Sequence, residues 1–425
     1  MTDSSDYLVG LDIGSSQVTC IVGRIVEVGP DAVDPETGGV KGEDTQGRVI
    51  RVHSMSRRTS SGISKGVIVD IDAVVKTIKE VVTDVERHLP FKIEHVVASI
   101  GGGSLRSLPC VGNWQVTNNE VQESDKQKAE ASALMHAKKE NQDLIKLFVQ
   151  YWECGDTVTH TSPVGMSATN LTVHCLAVYG SVKNAENMKR CIQRTGLTVD
   201  KFLPHPWASA IAVLTPTEKL CGTLVIDLGA QTTSLSIMHE HVLIYTSVLP
   251  YGAEYFSRDL AMVCGLSLND AEKLKVTSGH CLPEKIGPDE IVTTGPSTQR
   301  SNRIFPRQLL ARTLNARAME FFGLYRKTLE DADVLSSVHN IVLTGGGSKL
   351  LGILQIIRQV FPNVPVRIGR PRNVEPEVPR SEENAVCLGL LLNPFYDLTE
   401  PENHEKQKQR RLLPKSLVNF FCGEN

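Results

Sequence analysis

At 425 residues the chain is too long for one compact core and implies roughly two to four subdomains. A hydrophobic content of 41%, a charged content of 22% and a net charge of -3 are ordinary for a globular protein and exclude the basic signature of a nucleic-acid binder. Ten cysteines without a C-x-x-C pair, and no signal peptide ahead of the first strand, point to reduced thiols in a cytoplasm and away from zinc or disulfides; the longest apolar run, Ala385 to Leu392, falls far short of the roughly 20 residues of a membrane span.

Leu8 to Val22 reads LVGLDIGSSQVTCIV, an apolar run that delivers Asp12 into a turn of Gly14, Ser15 and Ser16 before a second apolar run. Such a hairpin aims backbone N–H groups and hydroxyls into a concavity suited to phosphate oxygens, and the Asp beside it can hold a hydrated Mg2+. Taken alone it is also the pattern of an ordinary β-turn. Glu27 to Arg48, rich in Gly, Asp and Glu, reads as an exposed connection, and Val49 to Ser56 resumes a strand. SSGISKGVIVD then leads into a helix over Ile71–His88, with Val74, Val75, Ile78, Val81, Val82 and Val85 on one face and Asp70 or Asp72 as its cap.

A strand at EHVVASIGG opens a small α+β insert, in which Glu123 to Lys146 suits a charged helix and Leu171 to Tyr179 a strand. A helix over Asn184–Arg194 with Gly196 beyond its end, a strand at Val199–Leu203 and a helix from near Pro206 follow. Thr223 to Met238, TLVIDLGAQTTSLSIM, then repeats the first hairpin, with Asp227, Gly229, Thr232 and Thr233 in the places of Asp12, Gly14 and the serines. A strand at Val242–Leu249 and a helix from Glu254 complete a second strand-strand-strand-helix series, so the pattern predicts two related lobes facing a cleft. Glu272 and Lys275 lie one helical turn apart in LNDAEKLKV, as a surface ion pair would. Residues 281–303 are polar and read as a loop or small sheet, and Arg307–Leu329 as an amphipathic helix. Finally NIVLTGGGSKLLG runs a buried strand into Gly345, Gly346 and Gly347, with a helix predicted from Ser348; a backbone bare of side chains there admits a flat ring.

Two Asp-x-Gly hairpins and a strand-GGG junction, in this order and at these separations, resemble the superfamily of actin, sugar kinases and heat-shock chaperone ATPases. Within it the chain is most similar to the FtsA family of bacterial cell-division proteins, along nearly its whole length: SSGISKGVIVD, SPVGMS at Ser162–Ser167, GLTVDKFL, LPYGAEYFSRDLA, DAEKLKV, VLTGGGSKLLG and VPVRIGRP. The resemblance implies an α/β, actin-like two-lobed fold with duplicated ribonuclease-H-like subdomains and a 1C-type α+β insert in place of the 1B subdomain. The subdomains it implies are 1A over 1–91 and 169–218, 1C over 92–168, 2A over 219–265 and 340–376, and 2B over 266–339. A return helix follows over 377–397, a linker over 398–411 and a membrane-targeting helix over 412–425.

By the same resemblance the cofactors are ATP and Mg2+. Asp12, Gly14, Ser15 and Ser16 form one phosphate loop and Asp227, Gly229, Thr232 and Thr233 the other, with the metal held through water by Asp12 and Asp227. Glu272 and Lys275 reach the ribose and base, and Gly345, Gly346, Gly347 and Ser348 receive the adenosine. Two departures stand out: Ala230, Gln231 and Ser234 replace two glycines and an acid of the usual second loop, and His205 precedes Pro206 where hydrolysing relatives place a water-activating Glu. His205 is therefore the candidate catalytic residue, and ATP binding is expected ahead of hydrolysis.

In the last stretch Leu413, Leu417, Phe420 and Phe421 share one helical face beside Arg410, Arg411 and Lys415, a pattern able to lie on an anionic membrane surface or to dock on the parent domain. The resemblance selects the membrane. It implies a peripheral protein on the cytoplasmic face of the inner membrane at midcell that polymerises with itself, tethers FtsZ and recruits later division proteins. The alternatives are a small-molecule, sugar-type kinase of the same superfamily and a related pilus-assembly scaffold.

Overall fold

The structure is a computed structural model that describes residues 7–29, 42, 45, 47–137, 142–294, 303–375 and 380–396. The expected linker and terminal helix, including Leu413, Lys415, Leu417, Phe420 and Phe421, lie outside the described residues.

The chain's first half begins with β1 (Leu8–Ile13), β2 (Gln17–Glu27), β3 (Arg48–Thr59), the short β4 (Ile63–Ser64) and β5 (Val67–Ile68), α1 (Ile71–Glu86) and β6 (His95–Ile100). The insert follows as β7 (Arg106–Gln115), α2 (Glu123–Ala137), β8 (Gln142–Cys154), β9 (Thr157–Thr159) and β10 (Asn170–Ser181). The chain returns through α3 (Val182–Gln193), β11 (Thr198–Pro204), α4 (His205–Val213) and α5 (Pro216–Leu220). The second half runs β12 (Thr223–Leu228), β13 (Thr233–His239), β14 (Val242–Leu249), α6 (Glu254–Cys264), α7 (Leu268–Ser278), β15 (Ile291–Thr294), β16 (Arg303–Pro306), α8 (Arg307–Asp331), β17 (Asn340–Thr344), α9 (Ile353–Val360), β18 (Val366–Ile368) and α10 (Ala385–Tyr396). Among the described residues no helix is long and apolar enough to cross a membrane.

The predicted repeat is realised strand for strand. One sheet has the order β11-β6-β1-β2-β3, and the other contains β18-β17-β12-β13-β14 with the same parallel and antiparallel pairings. Asp70 caps α1 by accepting from the Ala73 N–H, and the valine stripe of that helix packs on Leu11, Val18, Cys20 and Val22.

By strand pairing the insert sits later than the expected 92–168. β6 belongs to the first-lobe sheet, whereas β10 is a central strand of the insert, paired on both sides by β7 and β8. The expected helix over Glu123–Lys146 ends at Ala137, and Leu144 and Lys146 lie on β8, where alternating Ile145, Leu147, Val149 and Tyr151 favour a half-buried strand. Through β7 the insert joins the second-lobe sheet beside β14: Ser107 Oγ donates to the Thr246 carbonyl and accepts from its N–H, both at 2.9 Å. A reciprocal contact covers β3, because Ile50 donates to the Asn373 carbonyl (2.8 Å) and accepts from Glu375 N–H (2.9 Å).

The lobes meet where α4 lies against α10. Trp207 Nε1 donates to Asn393 Oδ1 at 3.0 Å in the buried interior. A Cβ on Gly389 would fall 1.9 Å from the Ala208 carbonyl oxygen, so backbone meets backbone there and only glycine fits. Gly323, in the interior of α8, has open space around its Cβ position. Gly389→Ala is therefore expected to destabilise the protein by about 1–3 kcal/mol. Gly323→Ala should stabilise it by up to about 1 kcal/mol, and chemical denaturation of the two variants would check the opposite signs.

Candidate functional site

The two Asp-bearing hairpins close in the same way. Gly14 N–H donates to the Gln17 carbonyl (2.9 Å) and Gly229 N–H to the Thr232 carbonyl (3.0 Å). In register, Asp12 pairs with Thr19 and Asp227 with Ser234, so the carboxylates hold equivalent places in the two halves. Both turns face one cavity of about 820 Å3, a volume suited to a small molecule.

Between the carboxylates stands His205, the first residue of α4. Its Nε2 is 3.7 Å from Asp12 Oδ1, its Nδ1 is 3.7 Å from Asp227 Oδ2, and Nδ1 also lies 3.3 Å from Ser234 Oγ. Asp12 is held by the Ser99 hydroxyl, which donates to Oδ1 at 2.6 Å. Asp227 is 4% exposed, and its Oδ2 accepts no hydrogen bond. Burial pushes its carboxyl above the usual range and Asp12 adds to the shift, opposed by His205 and the Ser209 hydroxyl.

Gly14, Ser15, Ser16, Gly229 and Thr232 line the cavity as expected. Thr233 does not. Its Oγ1 donates to the Tyr251 carbonyl and pairs with Tyr325 OH, each at 2.8 Å, in the fully buried interior, because alternation along β13 turns it away from the cleft.

Glu272 and Lys275 also line the cavity, so they are no free surface pair. Lys275 Nζ donates to Glu272 Oε2 (2.8 Å) and to the Ala253 carbonyl (3.1 Å), while Ser257 holds the same carboxylate from α6.

Gly345, Gly346 and Gly347 line the cavity beside the second hairpin. Gly345 has φ +83°, and a Cβ there would lie 2.3 Å from Asp227 Oδ1, so the glycine turn presses directly on the second hairpin. The helix expected from Ser348 is instead a 3-10 turn over Gly346–Lys349, and α9 starts only at Ile353. Three glycines nucleate a helix poorly. Ser348 Oγ donates back to the Gly345 carbonyl at 2.7 Å and lies outside the cavity lining, and the helix N-terminus expected beside an anion is displaced with it.

Sequence reasoning missed a charged cluster at the rim. Glu383 binds Lys349 from the second lobe and Arg57 Nη1 of β3 (3.1 Å) from the first. Burial alone would raise the Glu383 carboxyl, but hydrogen bonds from Lys349, Ser381 and Arg57 outweigh it and hold it at about 2. Partners so distant in sequence leave no local signal. Among the described residues no group of three or more His, Cys, Asp or Glu is placed to hold a metal. Two carboxylates on one space, one of them with an orphaned oxygen, fit an ion that keeps most of its water, as Mg2+ does.

The family model of cell division protein FtsA matches residues 224–389, and that of the SHS2 domain inserted in FtsA matches residues 102–179. Cell division protein FtsA of Neisseria meningitidis serogroup B is 29% identical over 416 residues, 96% of this chain and 96% of that protein. Among solved structures, a PilM-PilN type IV pilus biogenesis complex matches with a TM-score of 0.62 at 18% identity, over 93% of this chain and 99% of that one. MreB5 of Spiroplasma citri bound to ADP matches with a TM-score of 0.53 at 13% identity, over 96% and 99%. Duplicated sheets, paired Asp hairpins across a cleft and these neighbours define an actin-like fold. Matched by both FtsA models and by full-length relatives, the chain belongs to the FtsA family of cell-division proteins.

An acid whose folded pKa is raised costs stability above its unfolded pKa, and the cost vanishes as pH falls below that value. Asp227→Asn is thus expected to raise the unfolding midpoint of the ligand-free protein by about 2 °C near pH 7.5. The gain should fade toward pH 4; thermal scans across that range measure it.

Proposed function

We propose that the cavity binds ATP with Mg2+, and that closure of the lobes on the nucleotide favours subunit contacts in a filament on the cytoplasmic face of the inner membrane. At midcell this filament would tether FtsZ and receive later division proteins. The observation that carries the reading is the equivalent placement of Asp12 and Asp227 on one cavity, 3.7 Å from the same imidazole.

Asp12 and Asp227 would hold the hydrated Mg2+, which supplies positive charge to the phosphate tail. The backbone and hydroxyls of Gly14, Ser15, Ser16, Gly229 and Thr232 would receive phosphate oxygens. Glu272 and Lys275 would reach the ribose and base, and Gly345–Gly347 would leave room for a flat ring. The ADP in the MreB5 structure supports this reading of the fold.

His205 is the only group here proposed to act on water. A second cavity of about 20 Å3, lined by Ser15, Thr232, His205 and Ser234, has room for about one water. A single water held there beside His205 suits slow hydrolysis.

Many weak terminal helices on one filament would give firm membrane attachment by avidity. The PilM likeness makes a pilus-type scaffold the rival, and such a scaffold has no need of Leu413, Lys415, Leu417, Phe420 and Phe421.

Magnesium with ATP at about a hundred times Kd should stabilise the folded protein by about 2.7 kcal/mol. Asp12→Ala should lose the magnesium-dependent part, as isothermal titration and thermal shift would show. Turnover of ATP should be the same with and without a panel of sugars. Anionic vesicles should co-sediment the full chain but not a chain ending at Glu400; equal pelleting would overturn the membrane assignment.

A further inference from the structure

The second hairpin carries Gln231 where the resemblance leads one to expect glycine, and the structure gives its side chain two partners on different lobes. Its Oε1 accepts from Lys65 N–H at 2.8 Å, and its Nε2 donates to Glu254 Oε2 at 2.7 Å. A carboxylate can only accept and a backbone N–H can only donate, so this orientation of the carboxamide alone satisfies both.

Lys65 and Gly66 form the two-residue turn between β4 and β5, with φ of 50° and 75°, the left-handed pair that a tight hairpin turn requires. That turn is firmly seated. The Asn184 side chain donates to the Gly66 carbonyl (3.1 Å), and Gly66 N–H donates to Ser15 Oγ (2.9 Å) in the first hairpin. One path of hydrogen bonds therefore runs from Ser15 through Gly66 and Lys65 to Gln231, and on to Glu254 at the start of α6.

We propose that Gln231 is a positioning residue that fastens the second hairpin to the first across the mouth of the cleft, so that a bound nucleotide leaves only after the contact with Lys65 opens. This rests on the cleft being a nucleotide site. The fastening itself is independent of any ligand, since both of its partners are protein groups. Glycine at 231 keeps the hairpin backbone and removes the carboxamide with both of its contacts, to Lys65 and to Glu254.

The test uses the full-length protein and two readouts. Dissociation of a fluorescent mant-ADP with Mg2+ is followed by stopped flow, and hydrogen exchange at the Lys65 amide is followed in the ligand-free protein. Gln231→Gly should speed dissociation about three- to tenfold, raise Lys65 exchange by a similar factor and leave the unfolding midpoint within about 2 °C. Glu254→Ala, which frees the other end of the carboxamide, should act in the same direction by less, and serves if the glycine variant folds poorly. Unchanged Lys65 exchange in both variants overturns the fastening, whatever the nucleotide does. Faster exchange with unchanged dissociation overturns its control of release. A wild-type protein that binds no mant-ADP defeats the nucleotide reading and with it the control of release, while the exchange result still decides the fastening.

Discussion

Everything in the cleft depends on two carboxylates, one from each half of the chain, being brought to the same imidazole. Asp227 is buried with an oxygen that nothing satisfies, and Asp12 faces it through His205. Burying and converging like charges is costly, and nothing in the packing of either lobe requires it. On the proposed reading, a cation and the anion that accompanies it would offset that cost. The same cavity gathers turns offering N–H groups, the side chain-free stretch Gly345–Gly347 and the polar pair Glu272 and Lys275.

Much of this was legible in the sequence because it is periodic or repeated. Asp12 and Asp227 were visible as twins, and the structure places them in equivalent registers. The stripe of α1 and its Asp70 cap were likewise written locally. Where the reading erred, a tertiary effect overrode the local pattern. Thr233 looks like its neighbour Thr232, yet strand alternation turns it inward to Tyr325. The stretch to Lys146 has a charged, helical look, but pairing with β10 draws it into a sheet.

What was not legible depends on partners far apart in the chain. Glu383 gathers Lys349 and Arg57 only once the lobes are assembled. In the sequence Gln231 is only a departure from the glycine of the usual second loop, and its partner becomes visible only when Lys65, 166 positions away, is set beside it. In both cases a side chain joins the lobes at the rim of the cleft while the α4–α10 contact joins them at its base. The cleft is therefore bounded by fixed backbone contact at one end and by exchangeable polar contacts at the other.

The two sheet borders are exchanged between the halves of the chain: β7, from the first half, lies beside β14, and Asn373–Glu375, from the second half, lie along β3. Each half thus screens a margin that its counterpart would otherwise present to solvent as a row of open backbone donors and acceptors. Severed at the midpoint, each fragment would carry an edge open to pairing with another chain. The two halves are thus alike in shape, yet each completes the sheet border of the other.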